Sequence, residues 1–271
     1  MKIYKLLTMV LGATLIIACA GDNDADKAYV ERPVQEIYNQ ATNALEKRHF
    51  KQAAALFDEV ERQHPYSLWA TKAQVMAGYA NYEANNYGDA LITLNRFIQL
   101  HPGNKDIPYA YYLRALSYYE QITDVSRDQG VTQKALTSLQ DTIRRFPNTK
   151  YARDAKLKLD LTRDHLAGKE IAVGRWYLRQ RGYLAAITRF RRVVEKYQTT
   201  SHIPEALHRL SEAYSALGLK TEAQQVASVL GHNYPGSEWY IDSYALMTGS
   251  GVRKTEKEKK GFFARARDWI F

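Results

Sequence analysis

Cysteine is almost missing from this chain: among 271 residues there is one, Cys19. A lone thiol excludes an intramolecular disulfide framework. Catalytic signatures are missing too, with no Gly-x-Ser-x-Gly, no phosphate loop, no Gly-x-Gly-x-x-Gly and no His-Glu-x-x-His. Asp160 and Asp164 share a helix face, where such pairs are usually solvated charge. The spaced aspartates Asp22, Asp24 and Asp26 do not make a calcium loop, because Lys27 stands where the glycine is needed and Pro33 where the glutamate is needed. Of the seven histidines, His64 and His101 hold equivalent places just before a proline, which a repeat explains better than metal ligation. These absences argue against an enzyme, a metal or an organic cofactor. Strand alternation bounded by hairpin turns is also lacking, so the expected class is all-α.

What is present is a recurrence. A small residue is followed four positions on by a bulky or second small one, as Ala53/Phe57, Ala90/Leu94, Ala135/Leu139, Ala186/Phe190 and Ala223/Ala227. In four of the five a proline closes the unit, at Pro65, Pro102, Pro147 and Pro235; the fourth unit has Gln198 instead. Upstream lie matching pairs: Ala41 with Ala44, Gly78 with Asn81, Gly174 with Tyr177, and Ser211 with Tyr214. Small residues that let two helices approach, and a proline that stops the second, match the tetratricopeptide pattern. The reading is a solenoid of five helix-turn-helix units, about ten helices, near 34–67, 71–104, 107–148, 149–199 and 203–236, then a C-terminal helix within 33–248. Ser67, Asp106, Thr149, Ser201 and Ser237 are the expected N-caps. Solenoids act by presenting an extended surface, so function is sought in partners.

The first residues are an address. Lys2 and Lys5 precede an apolar run over 6–18, too short to span a bilayer and shaped like a secretory signal. It ends in Ile16-Ile17-Ala18-Cys19, which resembles the bacterial lipobox, where the cysteine becomes the acylated first residue of the mature chain. Ordinary cleavage nearby and a buried thiol are the competing readings. Lipidation is favoured, because Cys19 has no disulfide partner, and several acyl chains give stable anchoring. Ala20 is not the aspartate that retains many such lipoproteins at the inner membrane, which favours the outer one. Residues 19–32 are polar and read as a flexible tether.

Charge is uneven. The formal net charge is +9, and two stretches carry it. Residues 170–200 hold seven basic residues, Arg175, Arg179, Arg181, Arg189, Arg191, Arg192 and Lys196, against Glu170 and Glu195. Residues 253–271 hold seven basic against three acidic residues. For an exported chain nucleic acid is excluded, which leaves an acidic protein surface or anionic lipid. Arg175, Arg179, Arg189, Arg192 and Lys196 are the candidate docking residues, with an ordinary solvated face as the alternative. In the fourth unit Ile187, Phe190, Val193, Val194 and Tyr197 form the apolar face beside them.

Tyrosine supplies a second surface. Over 108–121, one helical stripe carries Tyr111, Ala115, Tyr118 and Ile122, and another carries Tyr109, Tyr112, Leu116 and Tyr119. With Tyr38, Tyr79 and Tyr82 of earlier units, the second stripe would line a concave groove suited to an extended, aromatic-rich peptide. Packing between repeats is the alternative. The tail, 249–271, puts Phe262, Phe263, Ala266, Trp269 and Ile270 on one helical face. An interfacial helix, a partner clamp, a disordered end and an imitation of a substrate strand are all open for it.

Over roughly residues 15–245 the chain resembles the BamD/ComL family of outer-membrane assembly lipoproteins. The residues that carry the resemblance are Pro33-x-x-x-Ile37-Tyr38, the stretch 53–65, Phe97-Ile98-x-Leu100-x-Pro102, and 144–155 with Phe146-Pro147-Asn148-Thr149-x-Tyr151. Residues 173–190, with Tyr177, Arg181-Gly182 and Arg189-Phe190, complete the set. The resemblance implies a periplasmic solenoid tethered to the outer membrane through Cys19, in a complex with other lipoproteins. Its C-terminal repeats would dock the barrel-forming subunit BamA, with Arg189 as the docking residue, and its N-terminal repeats would help receive unfolded barrel precursors at the tyrosine groove. A periplasmic adaptor of envelope constriction or peptidoglycan synthesis is the rival, though such adaptors carry an N-terminal coiled coil and no heptads lie between Cys19 and Pro33.

Overall fold

The computed structural model describes residues 31–249. Residues 1–30, with the signal, Cys19 and most of the tether, and the tail from 250 onward lie outside the described residues. Among the described residues there are eleven helices and no strand. They are α1 (Val34–Glu46), α2 (Phe50–Gln63), α3 (Leu68–Glu83), α4 (Tyr87–Leu100), α5 (Ile107–Tyr119), α6 (Gly130–Arg145), α7 (Lys150–Arg179), α8 (Tyr183–Lys196), α9 (Ile203–Ala216), α10 (Lys220–Asn233) and α11 (Glu238–Thr248). None is long and apolar enough to cross a membrane.

Each helix packs on the next, and each odd-numbered helix also touches the next odd-numbered one, whereas no two even-numbered helices meet. Helices that touch form the inner wall of a curved stack, and helices that splay form the outer wall. The odd helices therefore line the concave side of a tetratricopeptide solenoid. The recurring residues explain the pairing. Ala53, Phe57, Ala90, Leu94, Ala135, Leu139, Ala186 and Phe190 are wholly buried. Gly78 and Gly174 provide the close approach: a β-carbon at Gly78 would sit 2.7 Å from Leu94 Cδ2, and one at Gly174 2.4 Å from Phe190 Cε1.

Turns within units repeat as well. Arg48, Asn85 and Arg181 take left-handed backbone with φ near 60°, and Gly218 does so at 77°. In each case the next amide reaches back over the helix end, as in His49 N–H to Ala44 O at 2.9 Å and Gly182 N–H to Tyr177 O at 2.9 Å. This closure satisfies carbonyls that a helix end leaves orphaned. Unit three replaces it with a connection over 120–129. Lys169 of α7 pins that loop by donating to Ser126 O at 2.9 Å.

The five helix starts expected to carry a cap divide into two kinds. Ser67, Thr149 and Ser237 cap with their side chains, accepting from the amides of Ala70, Ala152 and Trp239 at 3.1, 3.2 and 3.3 Å. Asp106 and Ser201 do not. Asp106 holds the N-cap position without a side-chain bond, and His202 replaces Ser201 there. Both helices open with Ile-Pro, Ile107-Pro108 and Ile203-Pro204, where proline presets the first turn and removes one orphan donor. Ser201 instead bonds Asp164 Oδ1 through its amide and hydroxyl at 3.1 and 2.8 Å.

Candidate interaction surfaces

Tyrosines from three units meet on the concave wall. The Tyr79 ring of α3 lies 6.5 Å from that of Tyr109 on α5, and Tyr151 of α7 lies 5.4 Å from both Tyr109 and Tyr112. The result is a four-ring spine in which every ring is partly exposed. Tyr82 sits beside it, its ring 5.8 Å from Tyr87 and its hydroxyl donating to Glu120 at 3.4 Å. The Tyr112 hydroxyl donates to Asp154. Tyr119 packs partly buried at the next junction, with the Lys158 ammonium 5.7 Å above its ring.

Burial, reinforced by neighbouring rings and carboxylates, holds the Tyr79, Tyr82, Tyr109, Tyr112 and Tyr151 hydroxyls above the usual tyrosine range. They are hydrogen-bond donors under all ordinary conditions. Asp154 moves the other way: its partial burial opposes ionisation, but bonds from Tyr112 and Lys158 outweigh it and pull the carboxyl below its usual range. The spine thus offers apolar ring area edged by donors and by carboxylates.

Tyr38 is not part of this spine. It is 7% exposed, edge-on to Phe57 at 5.4 Å and tilted against Trp69 at 4.8 Å. Tyr151 was missed in its place. Its signal is positional: Trp69, Tyr151 and Trp239 each stand two residues after a side-chain cap, and each meets a ring of the preceding odd helix. The partners are Tyr38, Tyr112 and His208, the last at 5.4 Å. The tyrosine stripe is therefore an inter-unit contact and a concave surface at once.

The basic residues divide. Arg189 and Arg192 both reach Glu170 of α7, at 3.2 and 2.8 Å, and that carboxylate side chain is only 13% exposed. Arg175 grips Glu205 of α9 with two donors, and Arg209 lies 3.7 Å from the same carboxylate. Glu205 lies beyond the basic stretch 170–200, so the excess of positive charge in that stretch does not leave Arg175 unpaired. Arg179 and Lys196 are exposed and make no ion pair among the described residues. One turn before Arg179 stands Trp176, 51% exposed; sequence patterning gave no reason to single it out. An exposed tryptophan beside arginine is the composition that dominates protein interfaces.

A single element joins the surfaces. Helix α7 spans 30 residues, about 45 Å, with Tyr151 at its start and Arg175 and Arg179 at its end. Among the described residues no cluster of three or more metal-ligating side chains occurs.

Helix pairs stacked into a solenoid, with a concave aromatic spine and a separate arginine-rich face, define the class: a tetratricopeptide-repeat protein. More narrowly, the chain belongs to the YfiO family of outer membrane lipoproteins, whose profile matches residues 30–230. It is 49% identical over 248 residues to the outer membrane protein assembly factor BamD of Caulobacter vibrioides, covering 91% of this chain and 81% of that one. It is 46% identical to the protein of the same name from Rickettsia prowazekii, covering 91% of this chain and 98% of that one. The relative from Neisseria meningitidis serogroup A is 32% identical, over 88% and 94% respectively. Among solved structures, the P58(IPK) TPR domain is similar at 14% identity and a TM-score of 0.42, covering 78% of this chain and 54% of that one.

Proposed function

We propose that this chain is a scaffold for outer-membrane protein assembly that receives unfolded barrel precursors at the tyrosine spine and docks a BamA-like barrel-forming subunit through its C-terminal repeats. The observation that carries this reading is the continuity of Tyr79, Tyr109, Tyr151 and Tyr112 across three units of the concave wall. Such a strip suits an extended chain rich in apolar side chains, because rings tolerate varied partners and a tyrosine hydroxyl not already committed, as that of Tyr112 is to Asp154, can donate to a peptide carbonyl. Arg179, Lys196 and Trp176 form the docking face, with Arg175, Arg189 and Arg192 held in place behind them by Glu205 and Glu170. A lipid on Cys19 anchors the chain to the periplasmic side of the outer membrane. Relatives named as assembly factors support this reading over an envelope-constriction adaptor.

A photocrosslinking amino acid placed at Tyr79 or Tyr109 should capture newly exported barrel precursors. The same group at Thr221, exposed on α10, should capture far fewer. Equal capture at all three positions would remove the spine from the pathway.

A further inference from the structure

Two apolar side chains stand out from the solenoid at one corner. Tyr66 is 101% exposed and Leu68 is 93% exposed, the highest values for large hydrophobic side chains among the described residues. They flank Ser67 in the turn between α2 and α3. Packing does not require them there, because the solenoid builds the same turn twice more.

Pro65-Tyr66-Ser67-Leu68, Pro147-Asn148-Thr149-Lys150 and Pro235-Gly236-Ser237-Glu238 share one geometry. In each the cap residue is extended, with ψ of 150°, 156° and 138°. In each its amide donates to the carbonyl three residues back, at 3.0, 3.2 and 3.0 Å. The later copies fill the two flanking positions with asparagine and lysine, or with glycine and glutamate. Only the first copy is apolar, so its character answers to something outside the fold.

The same corner is where the N-terminal segment joins the solenoid. The Arg32 amide donates to Gln63 Oε1 at 2.8 Å, and the His64 ring bonds Arg32 O at 2.7 Å. Residues just upstream of α1 are thereby latched to the end of α2, directly before Pro65 and Tyr66. The thirteen residues of 19–31 can span at most about 45 Å, so an acyl chain at Cys19 holds this corner, rather than the far end of the stack, close to the bilayer.

We propose that the Tyr66–Leu68 turn is a membrane-contact site that seats the first unit in the headgroup region of the phospholipid leaflet. A tyrosine at an exposed turn fits that layer, with its ring among the upper acyl carbons and its hydroxyl among headgroups. Leu68 adds apolar area beside it, and one turn on, the Lys72 ammonium lies over the Tyr38 and Trp69 rings at 5.3 and 6.0 Å. The contact orients the solenoid, turning a flexible attachment into a defined stance in which α11 points away from the bilayer. It rests on the lipid anchor at Cys19 proposed above.

Because acylation consumes the thiol of Cys19, Tyr66→Cys provides a single labelling site in the full lipidated chain. An environment-sensitive fluorophore at that site, in vesicles of phosphatidylethanolamine and phosphatidylglycerol, should be quenched by headgroup-proximal nitroxide lipid. The same label at Thr221→Cys should stay unquenched. Adding Leu68→Asp to the Tyr66→Cys chain should reduce the quenching at least severalfold while far-ultraviolet circular dichroism stays unchanged. A chain that floats with the vesicles but leaves position 66 as unquenched as position 221 overturns the membrane contact and leaves the anchor standing. A chain that does not float overturns the anchor and the contact with it.

Discussion

At the scale of single residues, the sharpest constraint is the missing side chain of Gly174. A methyl group there would lie 2.4 Å and 2.6 Å from two carbons of the Phe190 ring, which is itself wholly buried. A rigid ring in a full core cannot step aside, and overpacking of this kind typically costs about 1–3 kcal/mol. Gly174→Ala should therefore lower the urea midpoint clearly. Gly78→Ala, which meets the more adaptable Leu94 at 2.7 Å, should lower it less; equal losses would mean that the ring has room to move. The spacing of small and bulky residues was readable in the sequence, since both contacts join residues of the recurring pattern. Glu205 was not readable in the same way. It lies thirty residues beyond Arg175 and closes on it only when α9 stacks on α7.

At the scale of elements, α11 is the most informative. It caps the stack, and its hold on α9 runs through a polar contact, with His208 Nδ1 2.8 Å from Ser243 Oγ, and through the His208–Trp239 stack. Burial, with Arg209 assisting, pushes the His208 ring below its usual value of 6.5, while Glu205, Glu212 and Asp242 pull the other way. The folded state thus binds the proton more weakly than the unfolded state does. Stability contributed by neutral His208 is complete above the unfolded value and falls as pH drops below about 6.5. From about pH 7.5 to about pH 5.5, the wild-type urea midpoint should fall more steeply than that of His208→Gln, which keeps a hydrogen-bonding group without the titration. Parallel slopes would assign the pH dependence elsewhere. The C-terminal helix itself was legible from its capping serine, Ser237. Its reliance on a buried histidine was not, because a lone histidine in a helix says nothing of what stacks against it.

At the scale of the whole molecule, the arrangement separates two faces by the length of α7, and that separation decides how docking is tested. Reversing Arg189 and Arg192 to glutamate would set new negative charge against the poorly exposed Glu170, so lost binding would be confounded with lost folding. Arg179→Glu with Lys196→Glu avoids this, since neither residue has an ion-pair partner among the described residues. That double variant should keep its thermal midpoint within a few degrees yet co-purify far less of the barrel-forming subunit. Undiminished recovery would move the docking face away from the end of α7. Membership of the solenoid class was legible in the fixed offsets, because a helix pair that must pack closely demands small residues at set places.

The sequence by itself determined the helical repeat, the closure of its units and the clustering of basic residues, all of which follow from local spacing and composition. Only the tertiary structure decided which side chains meet. It took Tyr38 into the core, brought Tyr151 into the spine, and tied Arg175, Arg189 and Arg192 to carboxylates while leaving Arg179 and Lys196 exposed. The reason is physical: periodicity defines a face on one helix, but the partner of that face is set by how successive helices stack, a contact between residues 19 or more positions apart that local pattern does not encode.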